Sequence, residues 1–261
     1  MPFSNSRATI SESIRSVLDQ TYPFFRLVLV NNFSNDGSLS IVHAFAALDS
    51  RITVLDCTSG RGASYARNYA LNRTDCSYIA FCDSDDVWLS HHLAYSMHTL
   101  SLSVHSTVSY SPIFIKSRGV SFLGFKPISF PCLYLSASRL LRCSPLNIFN
   151  NISLSSVVIK NTSCQSFSFD EFFSYAEDWS LWLHLLSSRF IFAPRSQPTV
   201  IYSHDPCKNR SNLFLIVNSR FKVRRKYLIT NPLSLLVLSI LYLYELFSLL
   251  IPSLRASRDS L

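Results

Sequence analysis

Asp83-Ser84-Asp85-Asp86 puts three carboxylates within four positions, directly after the short apolar run Tyr78-Ile79-Ala80-Phe81. Carboxylates this close repel one another unless a cation or several N–H donors neutralise them. Mg²⁺ and Mn²⁺ suit oxygen ligands, keep several waters, and bind through one or two carboxylates together with substrate phosphates. The segment therefore reads as a clamp for a phosphorylated ligand. A solvated Asp/Ser-rich turn is the alternative, and for an isolated Asp-x-Asp it is the commoner one. A second acidic pair, Glu177-Asp178, opens an apolar run farther on, and a lone histidine, His204, follows a β-like run. By itself the pair reads as an acidic first turn stabilised by a helix dipole.

The surrounding pattern indicates what positions these groups. Thr9-Ile10-Ser11-Glu12 has the form of a capping box, with Ile10, Ile14, Val17 and Leu18 on one apolar face behind it. Arg26–Val30 and Arg51–Leu55 read as buried strands, the first entering the turn-like Ser34-Asn35-Asp36-Gly37. A helix is expected from about Ser38 to Leu48, and another from about Ala63 to Leu71 after the turn Gly60-Arg61-Gly62. Strand alternating with helix predicts an α/β fold with a mostly parallel sheet, and ligands bind such sheets beyond the carboxyl ends of the strands. The acidic cluster stands at such an end. Val104–Lys116 and Ser153–Lys160 are β-like, and Ser117–Asn150 reads as an insertion. Tyr175–Trp179 opens an amphipathic helix carrying Leu181, Trp182, Leu185 and Leu186. Thr199–Tyr202 is a last strand, ending beside His204.

Composition bounds the function classes. The chain has 261 residues, 48% hydrophobic and 15% charged, which is too apolar for a disordered chain and long enough for a sizeable core. The net charge of +8 is concentrated after Pro206, where nine basic residues face two acids. They bracket an apolar run instead of forming a stripe with exposed aromatics, so nucleic acid is not the expected partner. Pro232–Ile251 would reach about 30 Å as a helix, enough to cross a hydrocarbon core. Glu245 opposes spanning, and a helix lying in the interface or capping the domain is the alternative. The basic cluster Arg220–Lys226 favours an anionic membrane surface. Seven cysteines without Cys-x-x-Cys spacing, and no signal-type leader, fit a reducing cytoplasm.

Taken in order, several of these segments resemble family 2 glycosyltransferases of GT-A fold. They are Ser13–Pro23, Leu27–Ser38, Gly60–Asn68, Tyr78–Trp88 and Glu177–Leu183, and the resemblance covers about residues 1–205. It implies a Rossmann-like, mostly parallel sheet flanked by helices for residues 1–205, and the charge and hydropathy pattern adds residues 206–261 as a basic and apolar membrane-associating tail with a C-terminal apolar helix. It also implies transfer of a sugar from a nucleotide-sugar donor to an acceptor hydroxyl. Asp85 would ligate Mn²⁺ or Mg²⁺ on the donor diphosphate, with Asp83 near the ribose and metal shell. His204 would contact the metal or diphosphate, and Arg67 the donor phosphates. Asp178 matches the family's base, which deprotonates the acceptor hydroxyl in an inverting single displacement.

The sequence departs from the family pattern at two places. Met1–Asn5 stands where a complete apolar strand is expected, so a central strand is expected to be missing, and Asn31-Asn32 replaces the acidic pair that reads the nucleotide base. The resulting expectation is an enzyme of surface-polysaccharide or lipid-linked glycan synthesis, cytoplasmic and held at the inner membrane. The alternative is a degenerate, inactive domain of the same fold acting as a binding module. A phosphohydrolase is a distant third, because its further motifs are absent from the sequence.

Overall fold

The computed structural model describes residues 1–117, 123–126, 150–161, 167–204, 213–228 and 239–246. Most of the expected insertion at Ser117–Asn150 and most of the apolar run Pro232–Ile251 lie outside them, as do Cys132, Cys143, Cys164 and Cys207.

The β-branched runs form strands where expected. Pro2–Phe3 (β1), Leu27–Asn31 (β2) and Ile52–Asp56 (β3) make a parallel sheet in the order β1-β2-β3. Helices Ile10–Leu18 (α1), Ser38–Leu48 (α2) and Ala63–Leu71 (α3) connect and flank them. The apolar face of α1 buries Ile10, Ile14 and Val17 against Phe3, Leu27 and Leu29. Gly62, at φ +100°, begins α3 from a backbone conformation that side chains rarely adopt.

A second sheet continues the layer. Tyr78–Ala80 (β4), Val108–Tyr110 (β6), Val158–Lys160 (β9) and Phe192–Pro194 (β10) assemble in the order β10-β6-β9-β4. Strand β10 runs parallel to β6, and β9 runs antiparallel to both β6 and β4. Only β9 is therefore reversed among the four, so the sheet is mixed. Helix His92–Ser101 (α4) precedes β6 in sequence. Helix Glu177–Ser187 (α5) buries Trp179, Trp182, Leu183 and Leu185 against this sheet. Each such fully buried side chain contributes about 1.5–3 kcal/mol. A third sheet, in the order β5-β11-β7-β8, joins Val87–Trp88 (β5), Ile113–Ser117 (β7), Leu123–Lys126 (β8) and Val200–His204 (β11).

Two expectations are corrected. Thr9 takes the N-cap place of α1 without a side-chain cap bond; its Oγ1 instead donates to the Ser6 carbonyl at 3.4 Å. The chain is already turning there, since the Thr9 and Ile10 N–H groups also bond Ser6 O, and Thr9 lacks the extended ψ that aims a hydroxyl at the first turn. The N-terminal strand is short, not missing: Pro2 and Phe3 pair with Val30 and Asn31, and the Met1 ammonium donates to Val28 O at 2.8 Å. Burial lowers that amine to about 6. Alongside it, a cavity of about 480 Å³ is lined by Met1, Pro2, Val28, Val30, Tyr78 and Ala80, among others.

Helix Leu213–Leu228 (α6) packs on α5, with Val223 in the same buried cluster as Trp179 and the Arg224 guanidinium 5.2 Å from the Trp179 ring. Residues 239–246 (α7) are also helical and pack on it through Arg224, whose guanidinium bonds Glu245 at 2.7 Å, and through the Phe221 and Tyr242 rings, 4.6 Å apart. Glu245 is buried in this pairing. No described helix is long and apolar enough to cross a membrane.

Candidate active site

Strand β4 delivers the chain into a tight turn in which the Asp86 N–H bonds Asp83 O at 3.1 Å. The turn holds Asp83 and Asp85 half-buried and Asp86 fully buried. Ser155, on the 3₁₀ turn Leu154–Ser156, braces it twice: its Oγ accepts the Asp83 N–H at 3.1 Å and donates to Asp86 Oδ2 at 2.5 Å. Asp86 Oδ1 accepts the Ser203 N–H at 3.0 Å. This bond ties the end of β11 to the acidic turn, so His204, the last residue of β11, emerges beside it. Burial first, and the neighbouring Asp83 charge second, push the Asp86 carboxyl well above the usual range.

The second acidic pair comes from the first turn of α5. Ala176, at φ 60°, turns the chain into this helix from the left-handed region. Arg67, buried in α3, bridges the two acidic segments, donating to Asp83 Oδ1 at 2.7 Å and to Glu177 Oε1 at 3.0 Å. Burial alone would lower its pKa, but the two carboxylates outweigh burial and hold the guanidinium charged. The cation expected at the donor phosphates thus lies between two carboxylates and stacks 5.2 Å from the Phe169 ring.

Asp178 is half-buried beside Glu177. Its Oδ2 accepts from Asn150 Nδ2 at 2.8 Å, and its Oδ1 accepts the Trp179 N–H at 2.7 Å. Burial, and then the Glu177 charge, raise its pKa to about 6, against the opposing pull of Asn150, the Trp179 N–H and Arg67. A carboxylate tuned to this range suits a base working near neutral pH.

Tyr202, half-buried in β11, feels the charge of both acidic segments. Burial raises the Tyr202 pKa, and the charges of Asp86, Asp83, Asp85 and Asp178 raise it further. Arg67 is the direct link between the segments that bear Asp85 and Asp178, which stand 93 positions apart. Asn31 ends β2 and Asn32 follows it. The Asn31 amide donates to Asp56 Oδ1 at 2.8 Å and accepts the Ser34 N–H at 3.0 Å, and the Asn32 N–H bonds Phe3 O at 2.8 Å. At this rim the carboxylate comes from β3.

Sequence reasoning did not single out Ser155, Asn150 or Tyr202. Serine is spread along the whole chain and gives no local signal, and Asn150 marked only the border of the insertion. Tyr202 read as one more strand residue.

The donor chemistry fits an open divalent site. Among the described residues, no group of three or more His, Cys, Asp and Glu side chains could hold a metal ion unaided. Asp85, half-buried in the acidic turn, and His204, at the end of the strand tied to that turn, have the oxygen and nitrogen chemistry that Mg²⁺ or Mn²⁺ would complete with waters and phosphate oxygens.

A sequence model described as "Glycosyl transferase family 2" matches residues 1–109. Among curated proteins, the chain is 33% identical over 199 residues to UDP-Glc:alpha-D-GlcNAc-diphosphoundecaprenol beta-1,3-glucosyltransferase WfgD of Escherichia coli, covering 74% of this chain and 70% of that one. It is 40% identical over 87 residues to the putative teichuronic acid biosynthesis glycosyltransferase TuaG of Bacillus subtilis, a match spanning only about a third of either protein, 33% and 34%. Among solved structures, the mannosyltransferase PcManGT of Pyrobaculum calidifontis, in complex with GDP-Man and Mn²⁺, superposes with a TM-score of 0.66 at 17% identity, over 99% of this chain and 72% of that one. That likeness is one of fold, and it agrees with the α/β architecture built above. With the extended sequence match to WfgD, the motif order and the shared fold all in agreement, this chain belongs to glycosyltransferase family 2.

Proposed function

We propose that the protein is a metal-dependent, inverting glycosyltransferase that moves a sugar from a nucleotide-sugar donor to a hydroxyl of a glycan or lipid-linked acceptor in surface-polysaccharide synthesis. The observation that carries this reading is the Arg67 guanidinium, which bonds Asp83 and Glu177 and so joins the segments that bear Asp85 and Asp178. The names of the relatives support the substrate classes, since WfgD is named for UDP-glucose and a diphosphoundecaprenol-linked sugar.

In this reading Asp178 accepts the proton of the acceptor hydroxyl as that oxygen attacks the anomeric carbon. Asn150 and the Trp179 N–H fix the orientation of its carboxylate, and burial keeps it basic enough to take the proton. Asp85 and His204 would hold Mn²⁺ or Mg²⁺, which when bound offsets the negative charge of the departing diphosphate. Asp83, pinned by Arg67 and the Ser155 hydroxyl, faces the ribose side of the donor. Asn31 and Asn32 would meet the base, where amides offer hydrogen bonds without a charge. Arg67 organises the carboxylates and reaches the donor phosphates from between them.

The tail would keep the enzyme on the cytoplasmic face of the inner membrane. Phe214 and Leu215 of α6 and Ile240, Leu243 and Tyr244 of α7 are exposed, and Lys222 and Arg225 lie on the same helical pair. An apolar rim with basic neighbours suits an anionic lipid surface. The competing reading, an inactive binding module, is favoured by Asn31, whose amide is already engaged with Asp56 and Ser34.

The test is release of nucleoside diphosphate from a panel of nucleotide sugars with Mn²⁺ and a polyprenyl-diphosphate-linked sugar acceptor, with the product anomer read by NMR. Acceptor-dependent release that Asp85→Ala and Asp178→Asn abolish is the expected result. Nucleotide binding without transfer, for every donor and acceptor tried, would leave the binding module standing instead.

A further inference from the structure

Asp86 is the third acid of the turn, and the reaction above gives it no role. Its carboxylate is fully buried. Both oxygens are engaged away from the cleft, with Ser155 Oγ at 2.5 Å and the Ser203 N–H at 3.0 Å. Where β5 and β11 stop pairing, at Val87 with Ile201, the Asp86 side chain supplies the acceptor for the next N–H of β11. Through Ser155 it also fixes the Asp83 N–H. One buried carboxylate thus joins three segments: the turn that bears Asp83 and Asp85, the 3₁₀ turn at Ser155, and the strand end that bears His204.

We propose that Asp86 is a positioning residue: it sets the separation between Asp85 and His204 by latching the acidic turn to the end of β11. This rests on the reading of Asp85 and His204 as the pair that faces the metal. The physical case is that a divalent ion held by only two side chains gains little from either one unless both are fixed beforehand. Partners that orient ligating groups typically contribute 10- to 100-fold in affinity.

The test uses the full chain and reads Mn²⁺ binding, alone and with UDP, by electron paramagnetic resonance, together with hydrogen exchange of the Ser203 amide by NMR. Asp86→Ala removes the latch and is expected to weaken Mn²⁺·UDP binding about 10- to 100-fold and to speed exchange at Ser203. Ser155→Ala removes the Ser155 arm, with its bonds to Asp86 Oδ2 and to the Asp83 N–H, and leaves the Asp86–Ser203 bond, so a smaller loss is expected, with Ser203 exchange unchanged. Asp86→Asn keeps an acceptor for the Ser203 N–H and can donate to Ser155 Oγ, and it is expected to restore binding to within about threefold of wild type, the scale of a retained outer-shell bond.

Unchanged Mn²⁺·UDP affinity in Asp86→Ala overturns the proposal. So does faster Ser203 exchange with no change in affinity, because the latch would then hold the fold and not the site. Should Asp86→Ala fail to fold, full wild-type affinity in Ser155→Ala, or a loss in Asp86→Asn as deep as that in Ser155→Ala, overturns it equally. Wild-type protein that binds neither Mn²⁺ nor Mn²⁺·UDP refutes the metal reading itself, a failure distinct from those of the variants.

Discussion

Replacing Asp178 with asparagine should make the protein more stable and nearly inactive at once. The folded protein holds the Asp178 pKa at about 6, raised from 3.8 chiefly by burial. A carboxyl raised in this way binds its proton more tightly when folded, so its stabilising contribution is present below the unfolded value and is lost as pH rises towards 6. At about 1.4 kcal/mol per pH unit the loss by pH 7 is at most about 3 kcal/mol. Sharing of charge with Glu177 reduces this to about 1–3 kcal/mol. The isosteric amide avoids that cost, so the melting temperature at pH 7 should rise by several degrees, at about 2–4 °C per kcal/mol. At pH 4 the variant and wild type should melt together.

Transfer should fall about 10²- to 10⁴-fold, the usual contribution of a positioned base. In wild type, kcat/KM should drop tenfold per pH unit below about 6. Calorimetry at the two pH values and a nucleoside diphosphate release assay check all of this. A variant that melts lower than wild type at pH 7, or retains transfer, refutes the assignment.

Arg67→Met should leave the half-buried Asp83 and Glu177 carboxylates without their cation, costing about 1–3 kcal/mol in chemical denaturation. Because Arg67 also holds the Asp178 pKa down, the acid limb of surviving activity should move above its wild-type position. Chelation by EDTA should abolish transfer and Mn²⁺ should restore it, whereas Asp85→Ala should resist rescue by added metal. Thr9→Ala should change stability by less than about 0.5 kcal/mol, since no cap bond is lost; a loss near 1 kcal/mol would reinstate the capping box. Co-sedimentation with phosphatidylglycerol vesicles should weaken with salt and with Ile240→Ser plus Leu243→Ser, and persistent binding would point to another surface.

Most of the first half was legible because its signals are local. The Ala-rich run after Gly60-Arg61-Gly62 predicts Ala63–Leu71, the observed helix, and the β-branched runs predict β2 and β3 to within one residue. Elements of mixed polarity escaped: His92–Ser101 is rich in His, Ser and Thr, which blur its apolar spacing, and the two-residue β5 is too short to show periodicity. The candidate site was legible in its acids, whose types and order are written in the chain. What Arg67 and Asp86 do was not. Their partners, Glu177 and Ser203, lie 110 and 117 positions away, and only the closed fold brings each pair into contact.

The reversed strand in the second sheet has a consequence for how the chain is made. Strands β4 and β6 do not pair with each other; each meets β9, which is complete only at Lys160. A nascent chain leaving the ribosome at about 5–20 residues per second must therefore wait several seconds with both edges open before the sheet can close. A fragment ending near residue 109, the stretch that bears the family signature, would expose those edges permanently and should self-associate, not fold. The most recognisable part of this protein is thus not a unit that can fold by itself.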